Sequence, residues 1–468
     1  MFRRIITVFL LFCISMAVSA VYTPRTQAQI KLAPLEYRER VLANGLKIYS
    51  VQVRTSPTVS IQVWYKVGSK DDPEGRSGFA HLFEHIMFKK TKNMKAEMMD
   101  RFTEDVGGFN NAETFDDYTA YFEVIPSNYL ETLLWAESDR MSGLVVDDAI
   151  FKSERDVVKE EYRERVLASP YGRLFYLFLS SRGFVKHPYK RPGIGSIEDL
   201  TAATIDDVKA FHSTFYRPDN ATLLVAGDFD QKQLDEWIDK YLGRLSRPST
   251  PMPRVTIKET PRTSEQRFVE YAPNVPLPAV IISYPAPPIS SAEAPALAVA
   301  ESILSAGASS RLYQALVYEQ QSAQQTFATS NLLQDAGQFY VGAILASGKK
   351  PEEVEQSLAA EVKRLQQQPV GAAELEKAKN QIIASQLRQR ETNYGKASAL
   401  GTAAVLLGDV KRVNTVIEEI DAVTAADVQK AMQRFTDSSR VVIHYLSEAA
   451  RTGSKPAGGG LAESEGRR

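Results

Sequence analysis

Shifting the sequence against itself by 220 positions lays Ile197-Glu198-Asp199-Leu200 over Ile417-Glu418-Glu419-Ile420, Thr204 over Thr424, Asp207 over Asp427, Val208 over Val428 and Phe215 over Phe435. A register kept that long marks an internal duplication, so one supersecondary plan has to serve both halves. In each copy a Thr followed three residues later by Asp reads as a capping box opening a helix that turns Val and Phe inward. A strand-like run follows each helix, Ala221 to Ala226 in the first copy and Val441 to Tyr445 in the second. Between the copies, Ser246 to Thr263 holds four prolines and no helical period, which reads as a linker. The expected fold class is therefore α+β, two homologous domains from a duplication, each a mostly antiparallel sheet with helices packed on it. The expected boundaries are 33–245, a linker over 246–263, and 264–446.

At 468 residues with 44% hydrophobic and 24% charged side chains, each half can bury a core without disulfides or structural metals. Lys and Arg number 56 against 57 Asp and Glu, a net charge of −1, so no basic excess exists to neutralise nucleic-acid phosphates or to hold a membrane surface. Nucleic acid is excluded as a partner class.

The first half reads as a hairpin from Arg38 to Val67 with Asn44-Gly45 at its first turn, then helices near Gly78 to Lys89 and Lys95 to Asp105. A strand from Asp117 to Ile125 and two further helices ending at Leu167 follow. The second half opens with strands between Phe268 and Tyr284 and continues with helices at Ala294 to Ser305, Ser310 to Tyr318, Pro351 to Gln367 and Ala372 to Glu391.

At the N-terminus, Arg3 and Arg4, an apolar run from Ile5 to Val18 and the small residues Val18-Ser19-Ala20 read as a secretory signal peptide over 1–20. The run is shorter than the ~20 residues that span a bilayer, so the expected product is exported, to a bacterial periplasm, without a stable membrane anchor. Cys13 is the single cysteine and lies in that run, which leaves the mature chain no thiol for catalysis, metal or disulfide. The stretch from Ser447 to Arg468 is small, polar and Gly-rich and reads as a disordered tail.

Five histidines occur, and two fall in His81-Leu82-Phe83-Glu84-His85 on a helical segment. A four-residue step puts both imidazoles on one face, where they can reach one ion, with Glu84 placed to take a proton from a water. Catalytic zinc takes three protein ligands. The helix Lys152 to Val166 offers Glu154, Glu160, Glu161 and Glu164, of which Glu154 and Glu161 share a face two turns apart. A solvated acidic face explains the same four residues equally well. His187, in His187-Pro188-Tyr189, reads as a turn anchor, and His212 and His444 as structural.

The H-x-x-E-H pattern is the inverzincin signature. Its surroundings resemble the pitrilysin/insulinase family, particularly chains similar to the β subunit of mitochondrial processing peptidase. The match includes Gly78-Phe79-Ala80, Gly107-Gly108, Asn111-Ala112, Thr114, Asp117, Thr119, Tyr121, Glu154-Arg155 with Glu161, His187-Pro188-Tyr189, Pro192, Gly195, Phe215-Tyr216-Arg217-Pro218 and Ser309-Ser310-Arg311-Leu312-Tyr313. The resemblance implies one zinc per chain held by His81, His85 and Glu161, with Glu84 as general base and Glu154 as a supporting carboxylate. It implies that Asn111 and Ala112 belong to a strand that pairs with an extended peptide, and that the chain forms half of a clamshell cleaving short or unfolded peptides.

Adding 220 to the metal residues reaches Glu301, Leu304, Ser305, Glu374 and Gln381, so the second half is a metal-free copy. The family's second half supplies an Arg and a Tyr seven apart, but Tyr318 and Gln325 stand at those places here. Arg311 and Tyr318 are also seven apart, but they sit one helical stretch early and are only the alternative to a pair from outside the chain. The departure implies a heterodimer whose partner, of similar size, supplies the Arg/Tyr pair. Two other readings are a non-catalytic peptide-binding or scaffold subunit descended from such a peptidase, and a zinc hydrolase of non-peptide substrates.

Overall fold

The computed structural model describes residues 33–451, so the signal-peptide segment 1–20 lies outside the described residues. Eleven strands form two sheets among the described residues. The first contains β1 (Arg38–Val41), β2 (Lys47–Gln52), β3 (Thr58–Tyr65), β4 (Phe109–Thr114), β5 (Thr119–Pro126) and β6 (Ala221–Gly227), in the order β1-β2-β6-β3-β5-β4. The second contains β7 (Gln266–Ala272), β8 (Ala279–Ala286), β9 (Ala323–Leu332), β10 (Gly337–Leu345) and β11 (Val441–Ser447), in the order β7-β11-β8-β10-β9. Without β1 the two orders are the same, and in each the last strand of the half pairs parallel with the first and antiparallel with the second. The fold is mixed α+β, and its strand pairing repeats the duplication read from the 220-residue offset.

The hairpin expected from Arg38 to Val67 is real only at its first turn, where Val41 faces Lys47 across Asn44-Gly45. β2 and β3 do not pair. β6 lies between them, with Leu224 facing Tyr49 on one side and Gln62 on the other. Ala-Thr-Leu-Leu-Val-Ala-Gly is buried along its whole length, the apolar run of a strand covered on both faces.

The helices that matter to the site are α1 (Phe79–Ile86), α2 (Leu130–Gly143), α3 (Asp148–Tyr162), α4 (Ile205–Phe215), α5 (Ala294–Ser305), α6 (Ala372–Gln389), α7 (Asn393–Gly401) and α8 (Ala425–Gln433). The capping boxes are formed in both copies, Thr204 with Asp207 opening α4 and Thr424 with Asp427 opening α8. The helix expected over Ser310 to Tyr318 is instead wound as π-helix at Tyr313–Glu319. At the start of the expected C-terminal tail, β11 takes in Ser447 and a one-turn helix covers Glu448–Arg451, while 452–468 lies outside the described residues.

Each half lends a segment to the other. On β3, Val59, Ile61, Val63 and Tyr65 join Phe79, Phe83 and Phe211 in the first core. The alternate face meets α7, where Gln62 donates to the Tyr394 carbonyl and the Ser398 hydroxyl at 3.1 Å and Gly401 lies against the Trp64 ring. Reciprocally, Leu174 and Leu179 pack with Ile281, Ile443 and Tyr445 of the second sheet. Residues 246–263 have no regular secondary structure but are strapped down: Arg217 donates to the Pro248 and Thr250 carbonyls, Arg254 to the Lys66 carbonyl, and Glu259 accepts from the Val185 and His187 amides.

Candidate active site

The first histidine helix is fixed at its start by groups remote in sequence. Asp72 is fully buried and accepts from the Gly78 amide at 2.6 Å and the Ala80 amide at 2.8 Å, satisfying two of the donors a helix N-terminus leaves free. Burial pushes the Asp72 carboxyl up to about 7, while those amides pull the other way. Gly78 enters the helix at φ +93°, and a Cβ there would stand 2.8 Å from the Gly195 Cα. Only glycine allows both the backbone angle and the contact. Leu82, Phe83 and Ile86 then face the core, which turns His81, Glu84 and His85 to the other side.

The third group comes from α3, capped by Asp147 through the Ile150 amide at 2.9 Å. Glu161 lies in the last turn of α3, immediately before the chain widens into π-helix over Arg163–Ala168. Its Oε2 stands 3.5 Å from His81 Nε2 and 3.3 Å from His85 Nε2, and its Oε1 is 3.0 Å from Arg165 Nη1. The imidazoles meet edge to face at 5.0 Å between centroids. Among the described residues this is the one group of three or more His, Cys, Asp or Glu whose ligand atoms converge, all within 4.8 Å of one another.

The group fits a zinc ion. Bond lengths of about 2.0–2.2 Å in a tetrahedron separate two ligand atoms by about 3.3–3.5 Å, which is the His to Glu spacing here. Burial lowers the His81 pKa to about 4, keeping that imidazole in the neutral form that ligates. The Ile194 backbone lies against the same imidazole and opposes that shift. The bond from His85 holds Glu161 below the ordinary carboxylate value. Burial pushes Glu84 the other way, above its ordinary value, with the Thr114 hydroxyl opposing the shift.

Glu154, expected to support the metal face, does not reach the histidines. Its buried carboxylate lies 3.2 Å from Lys89 Nζ, tying α3 to the residues just beyond α1. Asn111 and Ala112 lie on β4, the outer strand of the first sheet, whose second edge no described strand covers. Thr114 of the same strand, with His81, Glu161 and Arg165, lines a cleft of about 320 Å³. Asn331 and Gln338 of the second sheet close part of it. His187 anchors its turn, as expected, through Nδ1 and the Tyr189 amide at 3.3 Å. His212 stacks on Tyr216, and His444 Nε2 lies 2.7 Å from Glu355.

In the second half the positions shifted by 220 have other duties. Glu301 accepts from the Ser330 amide and hydroxyl at 2.8 and 2.6 Å, and Glu374 holds Arg311 through two bonds of 2.8 Å. Arg311 is thereby committed, while Tyr318 is exposed, so these two do not form a joint pair over the cleft. Sequence reading missed Asp72, because it caps a helix from across a loop and lies outside any capping-box spacing. It also missed Arg165, whose four-residue step from Glu161 on a charged helix was the available signal.

A duplicated α+β chain with two histidines and a glutamate converging beside an outer strand is the arrangement of a metallopeptidase family. Residues 47–195 match the family described as Insulinase (Peptidase family M16), and residues 202–382 match the Peptidase M16 inactive domain. The chain is 34% identical over 415 residues to the zinc protease PqqE of Helicobacter pylori, covering 88% of this chain and 90% of that one. It is 22% identical to the probable mitochondrial-processing peptidase subunit beta of Arabidopsis thaliana, over 89% of this chain and 79% of that one. The crystal structure of a protease from Helicobacter pylori superposes with a TM-score of 0.84 at 29% identity, covering 88% of this chain and all (100%) of that one. The chain belongs to peptidase family M16 and has its half-clamshell fold. No helix among the described residues is long and apolar enough to cross a membrane.

Proposed function

We propose that the chain is an exported zinc-dependent endopeptidase that hydrolyses short or unfolded peptides. The observation that carries this reading is the convergence of His81, His85 and Glu161, with the Glu84 carboxyl close to His85, Glu161 and Thr114, beside a cleft that His81, Glu161 and Thr114 of β4 line. His81, His85 and Glu161 would hold one zinc ion. When bound, zinc supplies a Lewis acid that polarises the scissile carbonyl and lowers the pKa of water. Glu84 takes the proton of the attacking water and hands it to the leaving nitrogen as the peptide bond breaks. The backbone around Asn111 and Ala112 pairs with an extended peptide as an added strand, an interaction that tolerates many side chains. Glu154 acts as a positioning residue through Lys89.

The rest of the reading concerns assembly and place. The halves are domains over 33–245 and 264–446 joined by 246–263. With Tyr318 and Gln325 at the family's Arg and Tyr places, and Arg311 held by Glu374, the chain works as the catalytic subunit of a heterodimer whose partner supplies the missing pair. Residues 1–20 direct export to a bacterial periplasm. The test is cleavage of an unfolded-peptide library, read by mass spectrometry, by the mature chain alone and with a similar-sized partner from the same organism. Cleavage only by the pair supports the reading. Full cleavage by a monodisperse preparation of the chain alone overturns the heterodimer, and a folded chain that holds no zinc in either setting favours the scaffold reading.

A further inference from the structure

A second cavity, of about 610 Å³, lies between the first sheet and the helices of the second half. Strand alternation puts it on the opposite face of the sheet from α1. Tyr65 and Ala112 face the core that holds Phe83, whereas their neighbours Trp64 and Glu113 line the cavity. Its apolar wall is a ring pair: the Trp64 and Tyr118 rings lie 4.4 Å apart at 3°. Trp64 is held in place by its indole bond to Gln62 at 2.9 Å, and Tyr394, on the far wall, packs edge-on against Phe122. The walls are set before any ligand arrives.

The polar lining is unbalanced. Arg388, Arg390 and Arg412 face a single carboxylate, Glu113. Arg412 is neutralised by Glu419, and Glu113 accepts from the Tyr118 hydroxyl at 3.3 Å. Arg390 is 9% exposed, yet no carboxylate among the described residues pairs with it. One Nη2 hydrogen goes to the Val413 carbonyl, and Nε has no acceptor. Burial alone lowers the Arg390 pKa, with no neighbouring charge to offset it, and burial raises that of Glu113. A guanidinium taken out of water without a counter-ion is costly, and its fork matches a carboxylate.

We propose that this cavity is a second binding site, for a small arylalkyl carboxylate whose charged end pairs with Arg390 and whose ring packs against the edges of the Trp64 and Tyr118 rings. Glu113 disfavours a dianion, and the aromatic wall selects a flat apolar body over a plain anion. A free arylalkyl acid and the C-terminal residue of a peptide share this chemistry. The site is independent of metal, because it lies across the sheet from His81 and His85.

The experiment is calorimetric titration of the mature chain with N-acetyl-L-phenylalanine, with and without prior chelation of metal. One-to-one binding is expected in both states, with the carboxamide analogue at least about tenfold weaker. Arg390→Gln weakens the acid by a similar factor, and Ala399→Phe, which fills the cavity while leaving Arg390 in place, abolishes binding with the circular dichroism spectrum unchanged. A tetrapeptide ending in Phe that binds more tightly than the capped residue assigns the site to peptide ends, and the reverse order assigns it to free acids. Equal binding of acid and amide, binding that vanishes on chelation, binding retained by Ala399→Phe, or no binding at millimolar acid overturns the proposal.

Discussion

Glu84 carries the proton transfers of the proposed reaction, and it is the residue whose replacement separates chemistry from folding. Glu84→Gln keeps the side-chain volume and leaves His81, His85 and Glu161 in place, so zinc content and thermal midpoint stay as in the wild type. Peptide cleavage is expected to fall by about 10²–10⁴-fold, measured by mass spectrometry beside atomic absorption for zinc. Glu161→Gln has the opposite signature, because it removes the carboxylate that both imidazoles face at 3.3 and 3.5 Å: zinc is lost and cleavage falls with it. Normal cleavage by the Glu84→Gln variant, or stoichiometric zinc in the Glu161→Gln variant, contradicts the assignments. His81, Glu84 and His85 were legible because a helix imposes its own geometry on a four-residue step. The choice among four glutamates of one helix was not legible from periodicity, since nothing local says which turn of α3 faces α1.

The helix α1 works because both its ends are held by other parts of the chain, Asp72 and Gly195 at the start and the Lys89 to Glu154 pair beyond its end. Gly78→Ala forces a Cβ toward the Gly195 backbone at a left-handed backbone angle, and should cost roughly 2–4 kcal/mol of stability. Urea unfolding measures that loss, and a shift of under half the lower figure argues against the close contact. The Arg311 to Glu374 pair ties the segment after α5 to α6 in the second half. Arg311→Met is therefore expected to destabilise by roughly 1–3 kcal/mol while cleavage by the assembled enzyme is unaffected, since the residue is structural. A selective loss of kcat with unchanged stability would return Arg311 to the substrate.

The two halves meet at a buried polar junction as well as through exchanged segments. Lys70 of the first half lies 2.7 Å from Asp117 and 2.9 Å from Asp335, which sits in the β9 to β10 turn of the second. His187, whose Nε2 lies 3.5 Å away, and Lys70 hold the Asp335 carboxyl well below the usual carboxylate range, against the effect of burial. A carboxyl with a lowered folded pKa releases its proton more readily when folded, so its contribution is complete above the unfolded value of 3.8 and is lost as pH falls below that. Asp335→Asn should lower the urea midpoint at neutral pH and flatten the acid limb of the midpoint against pH, relative to wild type. Parallel acid limbs in the two proteins would remove Asp335 from the junction.

The sequence by itself determined the duplication, the paired capping boxes, the α+β class and the histidine helix. Each of these rests on neighbours within a turn or a strand, or on one pattern written twice, and local backbone geometry makes such patterns readable. The tertiary structure alone decided that β6 enters between β2 and β3, that Glu161 rather than Glu154 meets the histidines, and that Asp72 caps α1. It also decided that each half covers the other's sheet and that Arg390 is left without a counter-ion. These depend on which apolar faces find each other across long stretches of chain, and burial of that kind is a property of the packed whole that no local spacing encodes.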